Sequence, residues 1–307
     1  MERRKFLYNL SLAGAGLYAV GAPTSLFGKD KTQTTKLTIL HTNDVHSRLD
    51  PFPMDGTKLQ GMGGVSARTA LIKKIRQQEK NVLLLDSGDI LQGTPYFNFF
   101  KGKPEFDIMS EMGYDASTIG NHDFDAGVER LAELALSAKF PLLNTNYSLE
   151  NSPLQKIVRP YKIMIMDDMK IGIFGIGIEL KGLVPKESYG DITYNDPLAI
   201  ANKTAAFLKK EKKCDLIICL SHIGYKYSSP KVNDIMLANN SKDIDIILGG
   251  HTHTFLDKPD LQKNLQGETV LINQVGWAGL RLGRLDIVFE KNNKKSCVSC
   301  DNMWVRD

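Results

Sequence analysis

The chain holds only six histidines, His41, His46, His122, His222, His251 and His253, and all six stand at or beside the ends of short apolar runs. Scattered histidines would fall on helix faces and in the polar tail as well. The densest spot is residues 118–127, where Asn121, His122, Asp123 and Asp125 lie between Gly120 and Gly127. A turn rich in Gly, Asn and Asp is the plain alternative, since these residues tolerate left-handed backbone angles. It accounts for the glycines. It does not account for four further motifs built from the same residue types: Asp44-Val45-His46, Asp86-Ser87-Gly88-Asp89, Ser221-His222 and Gly250-His251-Thr252-His253. Five polar motifs at successive strand ends point to one shared site. Imidazole nitrogens, carboxylate oxygens and an Asn carbonyl suit Zn²⁺, Mn²⁺ or Fe better than Mg²⁺ or Ca²⁺. No Cys belongs to the set, which argues against a closed structural zinc. More than four candidate donors argue for two ions. Paired ions sit ~3.5–4 Å apart, lower the pKa of a bound water and clamp an in-line displacement.

Such chemistry needs elements that bring the motifs together. Residues 37–40 read as a strand ending at His41, and Asp44 and His46, two apart, share a face on an extended tip. Residues 81–85 form a buried strand that delivers Asp86 and Asp89, and the carboxyl end of such a strand is where α/β proteins place active sites. Asp89 is read as the ligand and Asp86 as its structural partner, because Gly88 frees the backbone to bring Asp89 inward. Strand-like residues 116–119 lead to Asn121-His122, 214–220 to Ser221-His222, and 244–248 to His251 and His253. Helices are expected at 65–80, 106–112, 128–138 and 197–210, the last with Asp196 as N-cap and Pro197 at its first position. Residues 141–146 read as a strand, and 161–166 with 170–178 as a hairpin. Gly175-Ile176-Gly177 lacks a full dinucleotide fingerprint and receives no cofactor. The tail, through 270–275, 282–289 and a last segment to 307, is mostly strand-like. With no internal repeat, alternating strands and helices predict a single α/β domain over residues 29–307.

Of the 307 residues 42% are hydrophobic and 24% charged, with a net charge of +4. So small a balance offers no sign of a nucleic-acid polymer as partner. Residues 1–28 read as targeting sequence: Arg3-Arg4-Lys5 precedes a mildly apolar, Gly/Ala-rich stretch, which resembles a twin-arginine export signal. The alternatives are a Sec signal peptide or a short uncut anchor. The stretch is too short for a comfortable membrane span, so the mature chain is expected to lack one. The expected destination is the periplasm, with membrane attachment if the signal stays uncut. Cys214 and Cys219 read as buried free thiols on opposite strand faces. Cys297 and Cys300 form a lone CxxC, a weak zinc signal that in an oxidising compartment closes a small disulfide.

The strings His41-Thr42-Asn43-Asp44-Val45-His46, Asp86-Ser87-Gly88-Asp89 with Gln92-Gly93-Thr94-Pro95, Gly120-Asn121-His122-Asp123-Phe124-Asp125, Ser221-His222 and Gly250-His251-Thr252-His253 resemble, in order and spacing, those of the calcineurin-like metallophosphoesterase superfamily. Within it they resemble the metal-binding domain of the 5′-nucleotidase family. The resemblance implies a four-layer α/β/β/α sandwich with two mixed sheets. It implies one ion on Asp44, His46 and His253, another on Asn121, His222 and His251, and Asp89 bridging the two. It places His122 beside the phosphoryl group as a substrate-binding and catalytic residue oriented by Asp125, with Asn121 also facing the substrate. The implied activity is hydrolysis of nucleotide phosphoesters by a metal-activated water. The implied alternatives are cyclic nucleotides, UDP-sugars or thiosulfonate-type esters, or a metal-bound subunit completed by a separate chain. The family's C-terminal substrate-specificity domain is expected to be absent, since about seventeen residues follow the last matched strand. Either a separate polypeptide supplies that part, or this domain acts alone on a broader set of phosphoesters.

Overall fold

Two-residue alternation divides the strands of the computed structural model between two kinds of neighbour. The structure describes residues 35–289 and 295–306, without the side chains of 295–298, so the expected signal at 1–28 lies outside the described residues. In β1 (Thr35–Thr42), Leu37 and Ile39 face one way and Leu40 the other; in β2 (Val82–Asp86), Leu83 and Leu85 oppose Leu84. In β9 (Leu216–Ser221), Leu216, Ile218 and Leu220 oppose Ile217 and Cys219. Side chains alternate across a pleated strand, so each strand serves two apolar layers. The inner layer joins Leu37, Ile39, Leu83 and Leu85 to Ile171, Ile173, Leu216, Ile218 and Leu248, which is sheet packed on sheet.

The first sheet runs β14-β13-β1-β2-β3-β4, adding β3 (Ala116–Thr118), β4 (Leu142–Leu143), β13 (Arg281–Phe289) and β14 (Lys295–Trp304). The second runs β11-β12-β10-β9-β7-β6, from β6 (Tyr161–Met166), β7 (Met169–Ile176), β10 (Ile246–Gly249), β11 (Asp260–Lys263) and β12 (Thr269–Asn273). Both are mixed. β1 pairs parallel with β2 and antiparallel with β13, and β9 is parallel to β7 and β10 while β6 and β11 run antiparallel at the edges. Short strands β5 (Tyr147–Ser148) and β8 (Thr193–Tyr194) pair separately.

The helices on the first sheet are α1 (Val65–Gln78), α2 (Pro95–Phe100), α3 (Lys103–Met112) and α4 (Val128–Ser137), burying Ile72, Ile75, Phe106, Met109 and Leu131. After α5 (Lys186–Tyr189), the second sheet is covered by α6 (Pro197–Lys210) and α7 (Asp234–Asn239), through Ala201, Ala205, Leu208 and Leu237. The architecture is the expected α/β/β/α sandwich. Asp196 caps α6 as its type requires, accepting from the amides of Leu198 and Ala199. Among the described residues, no helix is long and apolar enough to cross a membrane.

Two expectations need correction. The strand at 141–146 shrinks to Leu142–Leu143, because the Asn144 side chain turns back to accept from the amides of Asn146 and Tyr147. Cys214 and Cys219 are free and buried, but they face the same layer: Cys214 precedes β9, so strand alternation does not relate the two. Cys300 is disulfide-bonded.

Candidate metal centre

Five loops, each following a parallel strand, meet where the carboxyl ends of β1, β2, β3, β9 and β10 converge. This is the end of an α/β sheet at which crevices form. Cross-sheet bonds fix the meeting: Ser87 Oγ donates to Leu248 O at 2.7 Å, His222 Nδ1 lies 2.6 Å from Ser87 O, and the His251 amide donates to both Asp44 oxygens at 3.0 Å. Close approach demands glycine. A Cβ on Gly88 would lie 2.6 Å from the Gly120 nitrogen, and one on Gly120 would lie 2.2 Å from Asp89 Oδ1.

The candidate ligands sort into two adjoining groups, Asp44 with His46 and His253, and Asp89 with His222 and His251. In the first, Asp44 Oδ1 lies 3.4 Å from His253 Nε2 and 4.0 Å from His46 Nε2. In the second, Asp89 Oδ2 lies 3.1 Å from His222 Nε2, and Asn121 Oδ1 meets His251 Nδ1 at 2.8 Å. Asp89 Oδ2 also comes within 3.9 Å of His46 Nε2, so its carboxylate stands between the groups. The structure therefore brings all seven expected ligands together.

The donor set fits a cation. His46 Nδ1 faces Leu91 O at 3.1 Å and His222 Nδ1 faces Ser87 O, so backbone carbonyls occupy one nitrogen of each ring and leave Nε2 as the ligand atom. His46 Nε2 and His253 Nε2 then confront each other at 2.9 Å, and the buried His222 Nε2 is aimed at the Asp89 carboxylate, 3.1 Å from Oδ2. Burial disfavours a charged His222, yet the Asp89 and Asp44 carboxylates outweigh it and push its pKa up to about 10. Asp89 moves the opposite way, lowered by His222, His46 and His122 against its own burial. The site concentrates negative charge that calls for positive charge.

Its backbone is strained as well. Asp44, His46, Asp89, His251 and His253 all have φ between 50° and 72°. Each such non-glycine residue costs of order 1–3 kcal/mol and persists only where its surroundings over-determine it. This corrects the extended tips expected for Asp44-Val45-His46 and His251-Thr252-His253. The side chains converge because alternate residues adopt left-handed turns, not because a strand continues.

His122 stands beside the groups, in neither. Its ring lies 5.3 Å from that of His46, its Nδ1 meets Asp125 Oδ2 at 2.7 Å, and its amide donates to Asp89 Oδ1 at 2.8 Å. The hydrogen bond to Asp125 raises its pKa, burial opposes, and the Asp89 charge adds to the rise. Its side chain is 36% exposed, and Asp125 occupies Nδ1. Asp86 plays the structural part assigned to it. It accepts from Thr42, Ser117 and the Gly88 amide, and burial raises its pKa to about 6.

Sequence reasoning missed several neighbours. Trp277 stacks on His253, centroids 5.9 Å apart and planes at 10°, with Phe52 set edge-on against Trp277. Tyr227 meets the His251 ring edge-on at 6.5 Å and carries the Lys231 ammonium over its face. Asn43 accepts from Val275 N and donates to Asp44 Oδ2. Only Asn43 stood inside a quoted motif. The aromatic residues reach the site from distant sequence and carry no local signal.

A calcineurin-like phosphoesterase family model matches residues 37–255. The snake venom 5′-nucleotidase of Naja atra is 35% identical over 280 residues, covering 84% of this chain and 51% of that protein. The 5′-nucleotidase of Vibrio cholerae is 34% identical over 313 residues, covering 94% and 54%. The crystal structure of a 5′-nucleotidase precursor from Thermus thermophilus is similar with a TM-score of 0.81 at 29% identity, over 89% of this chain and 55% of that one. The chain spans about half the length of the curated relatives it matches.

Proposed function

The chain belongs to the calcineurin-like phosphoesterase family, and on that premise we propose that it hydrolyses nucleotide phosphoesters, with two divalent transition-metal ions as cofactors. The observation that carries this reading is the pair of adjoining nitrogen-and-oxygen groups around Asp89, with the His122–Asp125 pair beside them. Asp44, His46 and His253 would hold one ion and Asn121, His222 and His251 the other, with Asp89 shared. Zn²⁺, Mn²⁺ and Fe fit this mixed set. When bound, such ions lower the pKa of a water and offset charge on phosphoryl oxygens.

The remaining work falls to the chain. Asp125 holds the His122 ring through Nδ1, leaving Nε2 to face the phosphoryl group and give a proton to the departing oxygen. The Asn121 side chain, tied to His251, presents its amide to the same group. The relatives named 5′-nucleotidases support nucleotides as the substrate class. Export rests on the twin-arginine-like start, and fractionation with N-terminal sequencing of the mature chain tests it.

The deciding experiment measures metal content of the purified protein alongside phosphate release from AMP, a cyclic nucleotide, a UDP-sugar and a thiosulfonate-type ester. Two transition-metal ions per chain with chelator-sensitive release from AMP is the expected result. A folded sample that neither retains nor responds to any such ion refutes the proposal.

A further inference from the structure

Asp123 sits in the densest motif of the chain, yet the mechanism above gives it nothing to do. It is 1% exposed and touches no open space. Its carboxylate collects four backbone amides. Oδ1 accepts from Ile90 at 2.9 Å and Leu91 at 3.2 Å, and Oδ2 accepts from Gly120 at 2.8 Å and Asp89 at 3.2 Å. Three of the four are consecutive, and they begin at a residue whose φ is 54°. Successive amides in such a turn form a cup for an anion, and here the anion is a side chain of the same protein.

The carbonyls of the same three residues point elsewhere. Asp89 O accepts from the His46 amide at 3.1 Å, Ile90 O from Ser47 at 2.8 Å, and Leu91 O faces His46 Nδ1 at 3.1 Å. Residues 89–91 are thus held by their amides on Asp123 and hold His46 and Ser47 by their carbonyls. The Asp89 side chain returns a bond to the His122 amide, one residue before Asp123. Three loops, after β1, β2 and β3, are tied through one carboxylate.

We propose that Asp123 is a positioning residue for the metal centre: by gathering the amides of residues 89–91 and Gly120 it sets Asp89 between the two groups and aligns His46 through the Leu91 carbonyl. It touches neither substrate nor ion. The proposal rests on the metal-centre reading for its consequence, but not for its geometry.

Asp123→Asn keeps the shape and replaces one acceptor oxygen with an NH₂ that opposes backbone donors. Metal affinity, read by chelator competition, is expected to fall about 10–100-fold, as when a partner orienting a ligand is lost. Asp123→Glu, which keeps the carboxylate, is expected to retain most of the affinity. Leu208→Ala, a fully buried core change beside Cys214 at the amino end of β9, opposite the loops, serves as a control for destabilisation alone. A fall in Asp123→Asn no greater than in a control of matched Tm overturns the proposal. A second arm needs no variant. In the metal-free parent, the amides of Asp89, Ile90, Leu91 and Gly120 are expected to exchange with solvent as slowly as those of β2, and fast exchange overturns the proposal. If the parent binds no metal, the metal-centre reading fails while amide exchange still decides what Asp123 holds.

Discussion

Removing the His122 side chain separates proton transfer from metal binding. The ring lies outside both ligand groups, and among the described residues its side chain hydrogen-bonds only to Asp125. The bond that ties this residue to the ligands is its backbone amide to Asp89 Oδ1, which His122→Ala keeps. The side chain is 36% exposed, so its loss opens no sealed cavity. The variant should fold and hold the same metal content as the parent. Loss of a positioned proton donor costs about 10²–10⁴-fold in turnover, equivalent to about 2.7–5.5 kcal/mol of barrier. The assay is initial phosphate release from AMP and from p-nitrophenyl phosphate, with ions per chain measured on the same samples. A nucleoside alkoxide needs a proton to leave and p-nitrophenolate does not, so the loss should be far smaller for the second substrate. Turnover of AMP at the parent rate would show that His122 has no such role. Equal losses on both substrates would move it from proton donor to charge stabiliser, and loss of metal would make it a ligand.

Asp89→Ala should release metal from both groups, because its carboxylate reaches His222 and His46 alike; a variant that keeps two ions per chain would refute the shared role. Trp277 stacks on His253, so a paramagnetic ion should quench its fluorescence in a Trp304→Phe background. The idea fails if quenching is absent, or if His253→Ala leaves it unchanged. Acid stability should involve Asp286: burial raises its pKa, but bonds from Arg284, Thr38 and Lys36 outweigh this and lower it. A depressed carboxylate pKa stabilises fully above the ordinary value near about 4 and is lost as pH falls through the folded value. Asp286→Asn should therefore lower Tm at pH 7 by about 2–4 °C, equivalent to about 1 kcal/mol, with the gap narrowing as pH falls below the ordinary carboxylate value; melts showing a constant gap would contradict this.

Much of the centre was legible because its donors are chemically unusual for strand ends and recur in pairs. Asp44, His46, Asp89, Asn121, His222, His251 and His253 each follow an apolar run that could only be a buried strand. The helices at Val65–Gln78, Val128–Ser137 and Pro197–Lys210 were legible from their apolar period and, for the last, its cap. The short elements were not. Pro95–Phe100 and Asp234–Asn239 span too few residues for a period to emerge, although Pro95 stands at a helix start and Asn233 caps the next. β11 alternates only partly buried residues at a sheet edge, and its pairing with β12 decides it. Asp123 could be read as polar but not as a hub, since three of its four partners lie more than thirty residues away.

The order in which the two groups are completed constrains biosynthesis. The first needs His253 to join His46, 207 residues earlier, and the second needs His251 to join Asn121 across 130 residues. A nascent chain therefore lacks the second set until translation has passed His251 and the first until it has passed His253. Closing loops of that length is entropically costly and slow, so a cation that needs either full set could not seed the early collapse of the polypeptide. It would instead lock a sandwich whose sheets have already found each other.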